Sequence, residues 1–185
     1  MPAKKDLNHI YTSLIEDYGN RLYRLCLKLT YSKVDADDLF SETLLKVFEQ
    51  PSKILESDYP ERFLFSTASY LFQSKKRKYA RRMRLVPVVP LSDENRERIK
   101  DDKDVIEKIL QDEMYRALNY FIEGLPEKFK LPLVFYYTME MSVTEISLTL
   151  NVPSGTVMSR LKRGRERLKK QLMEAGYDEQ AIGSF

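Results

Sequence analysis

Met141-Ser-Val-Thr-Glu-Ile-Ser-Leu-Thr-Leu-Asn-Val-Pro-Ser-Gly-Thr-Val-Met-Ser-Arg-Leu-Lys-Arg-Gly-Arg-Glu-Arg-Leu168 is the most informative stretch of the chain. Ser142-Val-Thr-Glu145 has the spacing of a capping box, in which the serine oxygen accepts from an amide three residues on and the glutamate reaches back. The helix it starts is short and carries Ile146 and Leu150. Asn151 then supplies a residue that tolerates the left-handed backbone of a sharp turn, and Val152-Pro153-Ser154 restarts a helix. Val157, Leu161 and Leu168, four and seven apart, face inward on that second helix. Met158, Ser159, Lys162, Arg163 and Glu166 are left facing outward, with Arg160, Arg165 and Arg167 on the flanks. A helix-turn-helix lays the N-terminal residues of its second helix along base edges in the major groove. Arginine and lysine there read guanine or hold phosphates, and serine does either. The plain alternative is a helical hairpin with a solvated basic face.

Outward from this stretch, periodicity predicts an all-α protein of two small helical domains joined by a flexible linker, the C-terminal one a helix-turn-helix. Leu7, Ile10, Tyr11, Leu14, Ile15 and Tyr18 share one helical face, continued by Leu22, Leu25, Cys26 and Leu29 up to a polar break near Ser32. Residues 35–50 form a second helix with the stripe Leu39, Phe40, Thr43, Leu44, Val47 and Phe48. Asp35, Asp37, Asp38 and Glu42 crowd its first turns, where the helix dipole favours carboxylates. Pro51 closes it, and Pro60 suits the first position of the next helix, whose buried side is Phe63, Leu64, Thr67, Ala68 and Leu71. Its C-terminal half is strongly basic, with Lys75, Lys76, Arg77, Lys78, Arg81, Arg82 and Arg84 and no acid among them.

Val86-Pro-Val-Val-Pro-Leu91 cannot continue a helix, because each proline lacks a donor and restrains the residue before it. The polar, on balance acidic stretch from Ser92 to Lys103 marks the domain boundary. The expected domains are 1–85 and 105–175, with a linker over 86–104 and a tail over 176–185. Ile106, Ile109, Leu110, Met114, Leu118, Phe121 and Ile122 resume helical spacing, ending near Gly124. Leu125 to Tyr137 reads as a further helix that must start late or bend, because Pro132 falls inside it.

Composition narrows the function. Over 185 residues, 43% hydrophobic and 32% charged, the net charge is only +3, so the placement of basic residues in two clusters says more than their sum. Cys26 is the only cysteine and His9 the only histidine, so neither an internal disulfide nor a Cys/His zinc site can be built. Cys26 among Leu22, Leu25 and Leu29 reads as a small core residue, and His9 as solvated. There is no Gly-rich phosphate loop, GxSxG or HExxH. An enzyme is therefore not expected, nor a metal or cofactor. The first residues lack the apolar core of a signal peptide, and no run approaches the roughly 18 apolar residues of a membrane span. A cytoplasmic protein is expected.

The quoted stretch, with Leu125-Pro-Glu-Lys-Phe129 upstream, resembles the −35-reading domain of bacterial sigma factors, above all the small extracytoplasmic-function class. Leu22-Tyr-Arg-Leu-Cys-Leu-Lys-Leu-Thr30 and Asp35-Ala-Asp-Asp-Leu-Phe-Ser-Glu-Thr-Leu-Leu-Lys-Val-Phe48 resemble the N-terminal domain of the same class. Together the likeness covers residues 10–173. It implies that Asp35, Asp37, Asp38, Ser41, Glu42 and Lys46 dock on core RNA polymerase. It implies that the segment from Phe63 to Arg84 engages an opened −10 element. There Lys75, Lys76, Arg77, Lys78, Arg81 and Arg82 hold the backbone while Tyr70, Phe72, Gln73, Ser74 and Tyr79 are candidates for unpaired bases, Tyr70 and Phe72 fitting the core equally well. Ser154, Thr156, Met158, Ser159, Arg160, Lys162 and Arg163 are implied as contacts to duplex −35 promoter DNA, and an anti-sigma factor as a further partner. The chain departs from the pattern in having no tryptophan near Phe63, and Tyr70 where the family often has asparagine. Ser147, Asn151 and Gly164 also replace the more usual residues. The rival readings are a free-standing helix-turn-helix regulator, which binds its operator tightly by itself, and an RNA-binding adaptor using the 75–84 run.

Overall fold

The computed structural model describes residues 4–55, 59–85 and 113–177, and among these there are helices and no strands. The helices are α1 (Lys4–Thr30), α2 (Lys33–Phe48), α3 (Pro51–Leu55), α4 (Pro60–Leu85), α5 (Glu113–Gly124), α6 (Glu127–Leu133), α7 (Val143–Leu150) and α8 (Ser154–Glu174). A π-helical segment, Val134–Thr138, follows α6 directly. The chain divides into two compact units: α1 to α4 belong to the first, with which Leu148–Asn151 are grouped, and α5, α6, the start of α7 and α8 belong to the second. The expected linker over 86–104, the start of the helix at Ile106 and most of the tail lie outside the described residues.

In the first unit α1, α2 and α4 pack on one another, and α3 rests on α2 and α4. The core is Leu22, Leu25, Cys26 and Leu29 from α1, Ala36, Leu39 and Val47 from α2, Ile54 from α3, and Leu64, Phe65, Ala68, Leu71 and Phe72 from α4. Cys26 is fully buried, and that burial pushes its thiol up to about 12, so it is a core group and not a reactive one. Ile15, expected on the apolar face of α1, instead stands 39% exposed. The α1–α2 corner turns through Tyr31, held at φ 55°, after which Ser32 caps α2 by accepting from the Asp35 amide at 3.3 Å. Stacked Tyr11 and Phe48 rings, centroids 4.2 Å apart, tie the far end of α2 back to α1. Pro51 closes α2 as expected but also opens α3, a five-residue helix the sequence reading missed. Pro60 is the first residue of α4, where its missing amide costs nothing.

In the second unit α5 and α6 pack on α8. The segment expected as one helix over Leu125–Tyr137 is two structures. Pro126 precedes the late start of α6 at Glu127, and Pro132 sits inside α6 without the amide that would reach back four residues. The turn that follows widens: the Met139 amide donates to the Val134 carbonyl at 3.2 Å, a five-residue step, and the Met141 amide to Phe135 at 3.0 Å. Phe129, Leu131, Leu133, Val134 and Phe135 are all buried there, against Val157, Leu161, Leu168 and Leu172 among the buried residues of α8. Gly164 is a point of close approach. A Cβ at that position would lie 2.9 Å from Leu133 Cδ1 and 3.6 Å from Phe129 Cβ, so glycine there lets α6 and α8 meet.

Candidate nucleic-acid interface

The helix-turn-helix forms as its sequence dictates. Ser142 and Glu145 close the capping box in both directions: the Ser142 amide donates to Glu145 Oε2 at 2.7 Å and the Glu145 amide to Ser142 Oγ at 3.2 Å. Asn151 takes φ 51° and lets the chain reverse between α7 and α8. Ser147 has a use that the sequence did not disclose. Its hydroxyl donates to the Val152 carbonyl at 2.7 Å while its own carbonyl accepts from the Val152 amide at 3.0 Å, clamping the turn. Replacing Ser142 by alanine removes one arm of the box and should cost about 1 kcal/mol of stability. Urea melts of the full chain test this: the midpoint should fall while the denaturant slope stays constant.

With Ile146, Val157 and Leu161 buried, α8 turns a polar face outward. Ser154, Met158, Ser159, Lys162 and Arg163 are exposed, and Thr156 and Arg160 are half-buried. Ser159 Oγ donates to the Thr156 carbonyl at 2.9 Å, which fixes the hydroxyl as a local donor with its lone pairs outward. Lys162 stands 4.0 Å from Glu166, at the limit of an ion pair and fully in solvent, so its ammonium is readily given to another partner. Farther along, the Arg167 guanidinium lies 5.0 Å from the centre of the Phe129 ring, a packing contact that sets it apart from the outward arginines.

The first unit presents two charged surfaces on α2 and α4. On α2, Asp35, Asp37, Asp38, Ser41 and Lys46 are exposed and Glu42 is half-buried. They are not equivalent. Asp37 accepts a 2.7 Å hydrogen bond from the Tyr23 hydroxyl of α1, and that bond raises the phenol to about 12, so the tyrosine stays a donor throughout the physiological range. Glu42 Oε2 pairs with Lys75 of α4 at 2.7 Å, and Lys46 with Glu49 at 2.7 Å. Asp35 and Asp38 are outward carboxylates on the same helix.

On α4, Lys75, Lys76, Arg77, Lys78, Arg81 and Arg82 are all exposed. The Arg84 side chain lies outside the described residues. Tyr70 and Tyr79 are exposed, Gln73 and Ser74 half-buried. Of the two readings open for Phe72 the structure takes the core one: it is 5% exposed. Its ring is covered at 5.2 Å by the Lys76 ammonium, so it supports a basic residue and offers no stacking face to a base. Among the described residues no cluster of three His, Cys, Asp or Glu side chains could hold a metal, and no helix is long and apolar enough to cross a membrane.

Two family profiles match the chain in order: Sigma-70 region 2 over residues 14–82, and Sigma-70 region 4 over residues 115–168. The extracytoplasmic-function RNA polymerase sigma factor SigE of Mycolicibacterium smegmatis is 30% identical over 167 residues, which are 88% of this chain and 61% of that relative. The chain thus spans about three-fifths of SigE. The corresponding factor SigW of Bacillus subtilis is 25% identical over 176 residues, covering 93% of this chain and 94% of SigW. Among solved structures, the sigma factor RpoE of Bartonella quintana, crystallised with the anti-sigma factor NepR, matches with a TM-score of 0.62 at 19% identity. That match covers 92% of this chain and 96% of RpoE. CnrH, solved in complex with the cytosolic domain of CnrY, matches with a TM-score of 0.56 at 16% identity over 90% of this chain and 89% of CnrH. These two likenesses carry the fold. With a capped helix-turn-helix, an acid-faced α2 beside a basic α4, and both region profiles in chain order, this chain belongs to the sigma-70 family, in its extracytoplasmic-function class of RNA polymerase sigma factors.

Proposed function

We infer that the chain binds core RNA polymerase and directs it to promoters by engaging two DNA elements at once. Residues 1–85 dock on the polymerase through Asp35, Asp37, Asp38, Ser41, Glu42 and Lys46 and capture an opened −10 strand. Lys75, Lys76, Arg77, Lys78, Arg81 and Arg82 grip its backbone while Tyr70, Gln73 and Ser74 meet unpaired bases. Residues 105–175 hold duplex −35 DNA, with Ser159, Lys162 and Arg163 at base edges and Ser154, Thr156, Met158 and Arg160 beside them. The linker over 86–104 limits the reach between the two, so the spacing of the elements becomes part of recognition. Neither unit makes or breaks a bond, and the protein works in the cytoplasm. An anti-sigma factor is the expected inhibitor, in keeping with the partner in the RpoE complex.

The observation that carries this reading is the exposed row Met158, Ser159, Lys162 and Arg163 on a helix started by a sharp αL turn after a capped short helix. A free-standing regulator is not favoured, because the N-terminal unit matches Sigma-70 region 2 over residues 14–82 in addition to the region 4 match over 115–168. Run-off transcription on genomic promoter fragments, with purified core polymerase and with or without the chain, is the direct test. Transcripts that start only when the chain is present support the proposal; no association with core polymerase at any salt overturns it. Arg163→Ala should lose about 1–3 kcal/mol of discrimination at one base pair of the −35 element. An unchanged preference across all single-base variants of that element would remove Arg163 from the base-reading set.

A further inference from the structure

Glu42 and Lys75 belong to different surfaces by function and to one ion pair by geometry. Glu42 is on α2, among the residues that face the polymerase, and Lys75 opens the basic run of α4. Their Oε2 and Nζ atoms stand 2.7 Å apart, with the side chains 41% and 48% exposed. The other five cations of the run, Lys76 to Arg82, are also exposed, with Lys76 lying 5.2 Å over the Phe72 ring. The pair thus joins the acidic and basic surfaces of this unit at Lys75.

We propose that Glu42 is a positioning residue that masks Lys75 in the unbound chain, so that docking on the polymerase and gripping single-stranded DNA are coupled through this one pair. The idea rests on the functional reading above and deepens it. A carboxylate 2.7 Å from the ammonium cancels most of its field a few ångströms away. A phosphate approaching Lys75 would also meet the charge of Glu42. Alone, the chain then offers one cation fewer than its sequence counts. When a polymerase group draws Glu42 toward itself, Lys75 regains its full charge and all three donors. Linkage makes the effect reciprocal: DNA that captures Lys75 frees Glu42 for the polymerase. Lys46 on the same helix makes its short contact to Glu49, and Glu42 acts on it only as a weaker, longer-range charge.

The test is the salt dependence of binding of a mixed-sequence single-stranded oligonucleotide to the full chain, free and in complex with core polymerase. In the free chain Glu42→Gln should steepen the slope of log K against log salt by about 0.7, the share of one phosphate contact on a single strand. Between 50 and 200 mM salt this amounts to an additional loss of about two- to threefold in affinity. The double variant Glu42→Gln/Lys75→Gln should bring the slope back, which a purely structural role for Glu42 would not do. In the polymerase complex Glu42→Gln should no longer alter the slope. A free-chain slope for Glu42→Gln equal to that of the parent overturns the proposal, as does a steepening that survives in the double variant. Run-off transcription by the parent chain is scored separately. If it succeeds while the slopes coincide, only the coupling fails; if it fails, the sigma-factor function itself is wrong.

Discussion

A chain in which Arg77, Lys78, Arg81 and Arg82 are all replaced by glutamine should show a clearly weaker salt dependence of promoter opening while folding at least as well as its parent. All four side chains are exposed, and glutamine is as good a helix former as arginine or lysine, so α4 keeps its propensity. The native cluster is unfavourable to the helix by itself: Arg77 with Arg81, and Lys78 with Arg82, are like charges four residues apart, each pair costing about 0.2–0.5 kcal/mol. Neutralising them should raise stability by a few tenths of a kcal/mol. If all four hold phosphates of an opened strand, the slope of log K against log salt should become shallower by about 2.8, or 0.7 for each contact. A fourfold rise in salt would then cost the parent roughly fifty times more affinity than the variant. Titration of the polymerase complex on a promoter fragment with an unpaired −10 segment measures this. Coincident salt slopes would mean that the basic half of α4 serves something other than DNA.

Such a cluster was plain in the sequence because it is a matter of composition, and the elements around it were plain for a similar reason. Pro60 at the head of α4, the Ser142–Glu145 box and Asn151 at the turn act over four residues or fewer, and each took the conformation its chemistry favours. What stayed hidden depends on neighbours distant in the chain. The periodic stripe of α4 gave Leu64, Ala68 and Leu71 but omitted Phe65 and Phe72. A stripe assumes one buried face, whereas α4 is packed by α1, α2 and α3 together. Phe72 therefore stayed open between the core and the base-binding candidates. Gly164 looked like a harmless departure on an exposed basic helix, yet it is where α8 meets Leu133 and Phe129. The widened turn after Pro132 could be foreseen only as a bend. Within the acidic face the sequence made Asp35, Asp37, Asp38 and Glu42 alike. Tyr23 and Lys75, which distinguish Asp37 and Glu42, reach them from α1 and α4.

The strongest stability effect is expected at Phe65, and its contrast with Tyr70, five residues on, separates the core of α4 from its working surface. Phe65 is fully buried, with the Arg21 guanidinium 5.4 Å from its ring centre, whereas Tyr70 is 63% exposed. Truncating a buried phenylalanine to alanine removes its transfer free energy and leaves a cavity, together about 3–5 kcal/mol. A unit of this size has on the order of 4–12 kcal/mol of stability, so Phe65→Ala should consume about a quarter of it or more. With a urea slope of about 1–3 kcal/mol per M, the midpoint of the helical signal should fall by about 1 M or more. Tyr70→Ala should change stability by no more than about 0.5 kcal/mol, since it deletes a side chain that stands in solvent. Its effect should appear instead in the preference of the polymerase complex for bases in the opened −10 strand. The two variants therefore predict opposite patterns. Phe65→Ala weakens every promoter alike because less of the chain is folded, and lowering the temperature or adding core polymerase should recover activity by mass action. Tyr70→Ala leaves the melt in place and changes the ranking of promoters, which neither treatment restores. If Phe65→Ala melted with its parent, the packing of α4 between α1 and α2 would be wrong, and with it the platform from which the basic run reaches DNA.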